Sequence, residues 1–356
     1  MKKVKYGIIG FGGIAENRIA KEGFCADRNR FPPHPHAELI CATDINPGRK
    51  TAAESLGLQW YDSAEALLAQ QELEAVFVAT NNRSHTAAAK SAMERGKHCL
   101  VEKPIATSLQ DLRELQQLAR KRNLNLGVDH MMVHNSYNRR AQALVQEGAI
   151  GGVNDVCLHM EFLYGATPDE AASWRCAVPE ELGGPIGDVG SHCLYMAESL
   201  LETRITRLSC VYLPRTLEIA VENGAYIQFE TESGIHGSAR VAFNQPRGAL
   251  EATLLNLGYE IYGTAGAIRG YGTLFQLSGH PDEPVPIRLD VETKAGRDTI
   301  RLDEVDNIYQ AMISQAARSI RSGEFVDSAE ALHNLAMILA CHESAGRDGE
   351  LLEIEE

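Results

Sequence analysis

The sequence has few aromatic side chains, no closely paired cysteines and no long apolar run. Aromatics make up 6% of its 356 residues, with only two tryptophans. No stretch approaches the ~18 uncharged apolar residues that a membrane span requires. The eight cysteines, at positions 25, 41, 99, 157, 176, 193, 210 and 341, include no Cys-x-x-Cys pair. They read as small buried apolar residues in a reducing compartment, so the expected location is the cytoplasm. Positive charge is also scarce: 34 Lys and Arg against 48 Asp and Glu leave a formal charge of −14. That balance argues against a general affinity for phosphate backbones or anionic lipid, so no nucleic-acid or membrane partner is expected. The lysines before the first apolar run superficially resemble a secretory leader. The run is short and glycine-rich, and Glu16 and Arg18 stand where a cleavage region should lie.

What remains is an ordinary globular composition, 44% hydrophobic and 23% charged. The length suits about two domains of roughly 150 residues. The first third alternates continuous apolar runs with helical patterns. Strands are predicted over 4–9, 39–43, 75–79, 98–101 and 124–128, and nearly unbroken apolarity suits a parallel sheet covered on both faces. Helices are expected after Ser63, Ser84 and Ser108, with Ser108 and Asp111 in capping-box spacing and Gly96 as a stop. Segment 23–36, rich in proline and polar residues, reads as a surface loop inserted between the first helix and the second strand. Alternating β and α defines a Rossmann-type, doubly wound α/β domain over residues 1–128.

Beyond residue 128 strands dominate, over 155–163, 207–213, 225–230, 236–243 and 260–262. Two helices close the chain, one over 304–322 and one capped by Ser328. Residues 129–356 therefore read as an α+β domain with an extensive sheet.

The first strand runs into Gly10-Phe11-Gly12-Gly13-Ile14-Ala15, a G-x-G-x-x-A form of the dinucleotide fingerprint. The first glycine permits the turn, the second lets backbone approach a pyrophosphate, and the following helix offers amides and the positive end of its dipole. Gly10, Phe11, Gly12, Gly13 and Ile14 are the candidate cradle. Asp44, ending the second strand, suits an adenosine ribose, and its neighbour is Ile45 rather than an arginine for a 2′-phosphate. NAD is favoured over NADP, with Arg49 and Lys50 leaving the second open. Asp44 could instead cap the turn beginning near Pro47.

Two further clusters carry chemistry. Glu102-Lys103-Pro104 follows a strand at the carboxyl edge of the parallel sheet, where ligands bind in such folds. Later comes Gly183-Gly184-Pro185-Ile186-Gly187-Asp188-Val189-Gly190-Ser191-His192, with Asp188 and His192 at helical i, i+4 spacing. In this order and at these intervals, the three motifs resemble the glucose–fructose oxidoreductase, inositol dehydrogenase and MocA-like family over essentially the whole chain. The resemblance implies an N-terminal Rossmann domain and a C-terminal domain with a large open, mainly antiparallel sheet that packs against another subunit, giving a homodimer or homotetramer. It implies an NAD(P)-dependent oxidoreductase acting on a secondary alcohol or ketone of a sugar or polyol. Lys103 matches the family's active-site lysine, Asp188 its acid and His192 its proton-transferring histidine; histidine titrates where alcohol oxidation needs a base. Residues 79–85 resemble the loop along the nicotinamide ribose, with Thr80, Asn82 and His85 in place and Asn81 where proline is usual. With Glu102 and Lys103 these complete the cofactor-binding candidates.

Structural readings stand beside these. Asp188 could be the N-cap of a helix over 189–201, His192 a satisfied core histidine, Lys103 a surface lysine and His85 a first-turn helix residue. Trp174 and Arg175 could border a sugar, or be a buried ring and a surface charge. Many relatives carry an arginine-bearing segment where this chain has His130, Met131, Met132 and His134. His134 is thus a substrate-pocket candidate, and the pocket chemistry is expected to differ. His130, His134, Asp188 and His192 could ligate zinc, but no metal is expected. A non-catalytic sugar sensor and a redox-assisted glycoside-cleaving enzyme are the remaining alternatives.

Overall fold

The computed structural model describes residues 2–275 and 287–356. It divides into two compact units: Met1–Met131 with Asn307–Leu332, and Met132–Asp306 with His333–Glu356.

The first unit is built on a six-stranded, wholly parallel sheet in the order β3-β2-β1-β4-β5-β6. The strands are β1 (Val4–Ile9), β2 (Ala37–Thr43), β3 (Gln59–Trp60), β4 (Ala75–Val78), β5 (His98–Val101) and β6 (Leu126–Val128). β4 is buried at every position, as a strand covered on both faces must be. β3 has no apolar run to announce it. Ser63 and Ser108 cap as expected, accepting from the amides of Ala66 (3.2 Å) and Asp111 (3.1 Å). The helix expected after Ser84 starts earlier, spanning Asn82–Glu94 with Asn81 as its extended N-cap residue.

The insertion over 23–36 is no plain surface loop. Phe24, Cys25, Phe31 and His34 are buried. His34 Nδ1 accepts from the Ala37 amide at 2.9 Å, so the proton sits on Nε2, which faces the Gln310 carbonyl at 3.2 Å. Its partner is the helix Ile308–Ser322, whose apolar face lies on the first helix. A Cβ added to Gly23 would stand 2.8 Å from Ile313 Cδ1. Sequence reading placed everything after residue 128 in the second domain; this contact returns 307–332 to the first. The chain that follows lies along the outer edge of β6. Leu126 donates to the Val326 carbonyl at 2.9 Å, and Ser328 donates its hydroxyl to Leu126 at 2.6 Å, a stitch rather than the predicted cap.

The second unit holds a nine-stranded sheet in the order β14-β13-β12-β11-β7-β10-β9-β8-β15. Its strands are β7 (Val153–Glu161), β8 (Ile205–Tyr212), β9 (Gly224–Thr231), β10 (His236–Ala242), β11 (Gly258–Gly263), β12 (Gly266–Tyr271), β13 (Arg288–Thr293), β14 (Gly296–Ile300) and β15 (Leu352–Glu353). All neighbours are antiparallel except β7 and β10. One face is apolar, with Val156, Leu158, Ile227, Phe229, Ala239 and Val241 buried. Most residues alternating with these are polar, with ion pairs such as Arg207 with Glu230 (3.2 Å) and Arg269 with Glu292 (2.8 Å), and Val211 and Tyr226 are exposed among them.

Burial lowers the His34 pKa to about 4, and the hydrogen bond to Gln310 only partly opposes it. The unfolded chain takes up this proton first, near pH 6.5. The stabilisation from neutral His34 is therefore complete above that pH and lost as the pH falls towards 4, on the order of 3 kcal/mol. Urea unfolding at several pH values should show the difference between the unaltered protein and His34→Leu shrinking by about that amount across this interval.

Candidate functional site

In the first unit the parallel ladder continues one residue beyond each strand. The amide of Gly10 donates to Thr43, Ala79 to Ile9, Glu102 to Val78 and Asp129 to Val101, all at 2.8–2.9 Å. These bonds set the Gly10 loop, Thr80, Glu102-Lys103 and Asp129 along one carboxyl edge. Gly10 has φ +92°, and a Cβ there would fall 2.6 Å from the backbone of Ala79 and Thr80. Gly12 and Gly13 differ: an added Cβ would meet nothing within 4 Å. Nothing in the protein itself requires glycine at these two positions, but a pyrophosphate lying close to the backbone would. The residues present therefore fit a dinucleotide.

Phe11 is fully buried, so only its backbone lines the cradle. Ile14 is half-buried at the opening turn of the helix. Arg49 is committed to this loop. Its Nε donates to the Phe11 carbonyl at 2.8 Å and its Nη2 pairs with Glu16. Asp44 accepts from the Asn46 amide at 2.8 Å, while Asn46 caps the turn at Pro47, so the capping role falls to Asn46 and not Asp44.

His85 is fully buried, and its ring bridges two loops: Nδ1 lies 2.8 Å from the Pro104 carbonyl and Nε2 3.2 Å from that of Thr80. It holds the Thr80 loop to the Lys103-Pro104 turn from beneath. Asn82, also buried, opens the adjoining helix. Lys103 donates its amide to the Glu102 carboxylate at 3.2 Å, and both side chains are half-buried.

In the second unit the glycine-rich motif forms a helical turn, Ile186–Gly190, that leads into the helix Ser191–Leu201. A Cβ on Gly187 would lie 1.8 Å from the Leu182 carbonyl oxygen, and one on Gly184 2.5 Å from Glu222, which accepts the Ile186 amide at 2.9 Å. Asp188 sits inside this turn and not ahead of the helix, and the N-cap residue Gly190 has no side chain to cap with. Capping therefore does not explain Asp188. Its carboxylate receives Arg175 Nε at 3.3 Å, and that guanidinium lies 4.5 Å from the Trp174 ring centre. One face of the indole is thus taken by arginine.

His192 is buried, with Nδ1 2.7 Å from the Tyr195 hydroxyl, which also accepts the Met132 amide at 3.4 Å. Sequence analysis paired His192 with Asp188 and did not single out Tyr195. Its i, i+3 spacing from His192 on a helix was the available signal. His134 is buried, and its Nδ1 accepts from Arg139 at 2.9 Å. Among the described residues no three His, Cys, Asp or Glu side chains gather as a metal site. No described helix is long and apolar enough to cross a membrane.

A parallel dinucleotide-type sheet with an open glycine cradle, and a mixed-sheet unit presenting a histidine with a fixed Nδ1, together define a nicotinamide-dependent oxidoreductase fold. Residues 4–130 match the oxidoreductase family with an NAD-binding Rossmann fold, and residues 138–269 match the GFO/IDH/MocA C-terminal domain. The chain belongs to the GFO/IDH/MocA family and is an NAD(P)-binding oxidoreductase. It is similar to the 1,5-anhydro-D-fructose reductase of Ensifer adhaerens, at 28% identity over 324 residues, 89% of this chain and 90% of that one. Its fold is that of the aldose-aldose oxidoreductase of Caulobacter crescentus (TM-score 0.83, 20% identity, 99% and 100% of the two chains). The same holds for an inositol dehydrogenase homologue of Azotobacter vinelandii, solved with NAD+ (TM-score 0.79, 20% identity, 99% and 97%).

Because the Leu182 carbonyl occupies the space a methyl group would need, Gly187→Ala should destabilise the protein by roughly 1–3 kcal/mol or more. A lower urea midpoint, with the slope of the transition unchanged, is the expected result.

Proposed function

We propose that the protein transfers a hydride between NAD and a secondary alcohol or ketone of a sugar or polyol. The observation that carries this reading is His192, a buried imidazole whose Nδ1 is held by Tyr195 on a helix that begins with the Asp188 turn. Bound in the glycine cradle, a nicotinamide dinucleotide supplies the two-electron redox chemistry. The protein's own part is proton transfer. His192 takes the substrate hydroxyl proton at Nε2 in oxidation and returns it in reduction. Proton uptake at Nε2 requires the neutral ring to carry its proton on Nδ1, so Nδ1–H donates to the Tyr195 hydroxyl in both states. Asp188, ion-paired with Arg175, favours the imidazolium. Lys103 stabilises negative charge on the reacting oxygen.

The preference for NAD is supported by Asp44 at the end of β2 and by Arg49, whose guanidinium is engaged with Phe11 and Glu16 and does not stand ready for a 2′-phosphate. A carbohydrate substrate is supported by the names of the relatives, which include a 1,5-anhydro-D-fructose reductase and an aldose-aldose oxidoreductase. The ion-paired outer face of the second sheet is the proposed subunit contact. A reducing compartment suits eight free thiols, seven of them buried.

Screening aldoses, polyols and cyclitols for NADH formation tests the reaction; no turnover with any of them, with bound NAD verified, would refute it. His192→Ala should lower turnover by roughly a hundredfold or more and keep NAD affinity. Asp188→Asn should reduce turnover at near-normal stability, and Lys103→Met should reduce it while weakening cofactor binding modestly. Fluorescence titration should give tighter binding of NAD than NADP, with Asp44→Ala narrowing the gap. Light scattering should show a dimer or tetramer that loosens in high salt, as contacts between charged faces do.

A further inference from the structure

Asp129 directly follows β6 with a fully buried side chain, and neither carboxylate oxygen has a well-formed hydrogen bond among the described residues. A buried carboxylate without a donor is costly enough that such groups are rare unless they carry a function or a proton. β5 and β6 pair Val101 with Val128, and the Asp129 amide continues the ladder by donating to the Val101 carbonyl at 2.8 Å. Glu102 and Asp129 are therefore the next residues in register on neighbouring parallel strands, about 4.8 Å apart and facing the same side.

The surrounding charges cannot support two carboxylates. Acting on Asp129 are the Glu102 carboxylate, the Lys103 ammonium and the Met131 amide. Tyr309, from the helix Ile308–Ser322, brings a buried phenol that is itself influenced by Asp129, Glu102, Arg18 and Glu22. With Glu102 and Lys103 charged and Asp129 neutral, the immediate cluster is balanced. With Asp129 ionised it carries a net negative charge in a buried place. Burial first, then the charge of Glu102 and its hydrogen bond, push the Asp129 pKa well above the ordinary carboxylate range, and Lys103 opposes this only in part.

We propose that Asp129 is a protonated acid at neutral pH which donates to Glu102 and so fixes the Glu102-Lys103 turn for the cofactor. Asp129 is then a positioning residue that touches neither substrate nor cofactor. The idea rests on the reading above that Glu102 and Lys103 serve the nicotinamide site.

Infrared spectroscopy tests the protonation state without any cofactor. At pH 7 the difference between the unaltered protein and Asp129→Asn should contain the C=O stretch of a protonated carboxylic acid, which shifts on 13C labelling of aspartate. Absence of that band overturns the proposal. Should Asp129→Asn fail to fold, the labelled unaltered protein decides alone, since it must still show a protonated aspartate. NADH titration tests the positioning role. Asp129→Asn, which keeps a donor, should bind within about twofold of the unaltered protein, and Asp129→Ala should bind several-fold more weakly. Equal losses in both variants, or no loss in either, overturn the role. Failure of the unaltered protein to bind NADH would instead refute the cofactor reading, whatever the infrared result. Stability should follow the same proton. As pH rises from about 4, the unfolded chain loses this proton before the folded protein does, so stability should shift in favour of Asp129→Asn.

Discussion

Everything chemical in the first unit hangs on the parallel backbone ladder. β1, β4, β5 and β6 each pass their register to the next residue through one amide-to-carbonyl bond, and after three of them that residue is a glycine or an acid. Gly10, Glu102 and Asp129 are reached in this way from β1, β5 and β6. Hydrogen bonding in the sheet is indifferent to side chains, so the edge can carry groups that would be intolerable one position earlier, inside the apolar run. The same bonds explain why carboxyl groups come to lie side by side. Strands in register deliver neighbours in register, whether or not their charges agree.

The second unit positions its groups by a different device, close backbone approach. Gly184 and Gly187 let a helical turn lie directly on Glu222 and the Leu182 carbonyl. That turn brings Asp188 within reach of Arg175 and launches the helix bearing His192 and Tyr195. Gly184 and Gly187 are thus filled against by protein, whereas Gly12 and Gly13 face open space.

Legibility in the sequence followed this division. Strands β1 and β5 could be read residue for residue, because their runs are nearly all apolar and each stops at a glycine or an acid. The cradle and the Lys103, Asp188 and His192 positions were singled out as candidates because short motifs carry them. β3, with two residues, and β12 to β15, with weaker alternation, offered no comparable signal. Contacts between distant segments were invisible as well. Neither the use of His34 to bind Gln310 nor the engagement of Arg49 with Phe11 leaves a periodic trace. Asp129 passed as part of an unusual segment, since its significance lies in register with Glu102 and not in its neighbours along the chain.

The return of residues 307–332 to the first unit bears on how the gene can be divided. A cut after residue 131 looks like a domain boundary, yet it would strip β6 of the strand-like cover given by Val326 and Ser328 and uncover Gly23 where Ile313 packs. The resulting fragment would present a bare parallel edge and an apolar helix flank to solvent, both invitations to aggregation. Recombination that exchanges the cofactor unit intact must therefore move two separate stretches of coding sequence together. In this architecture a change of cofactor is more accessible through point substitution at the carboxyl edge than through domain shuffling.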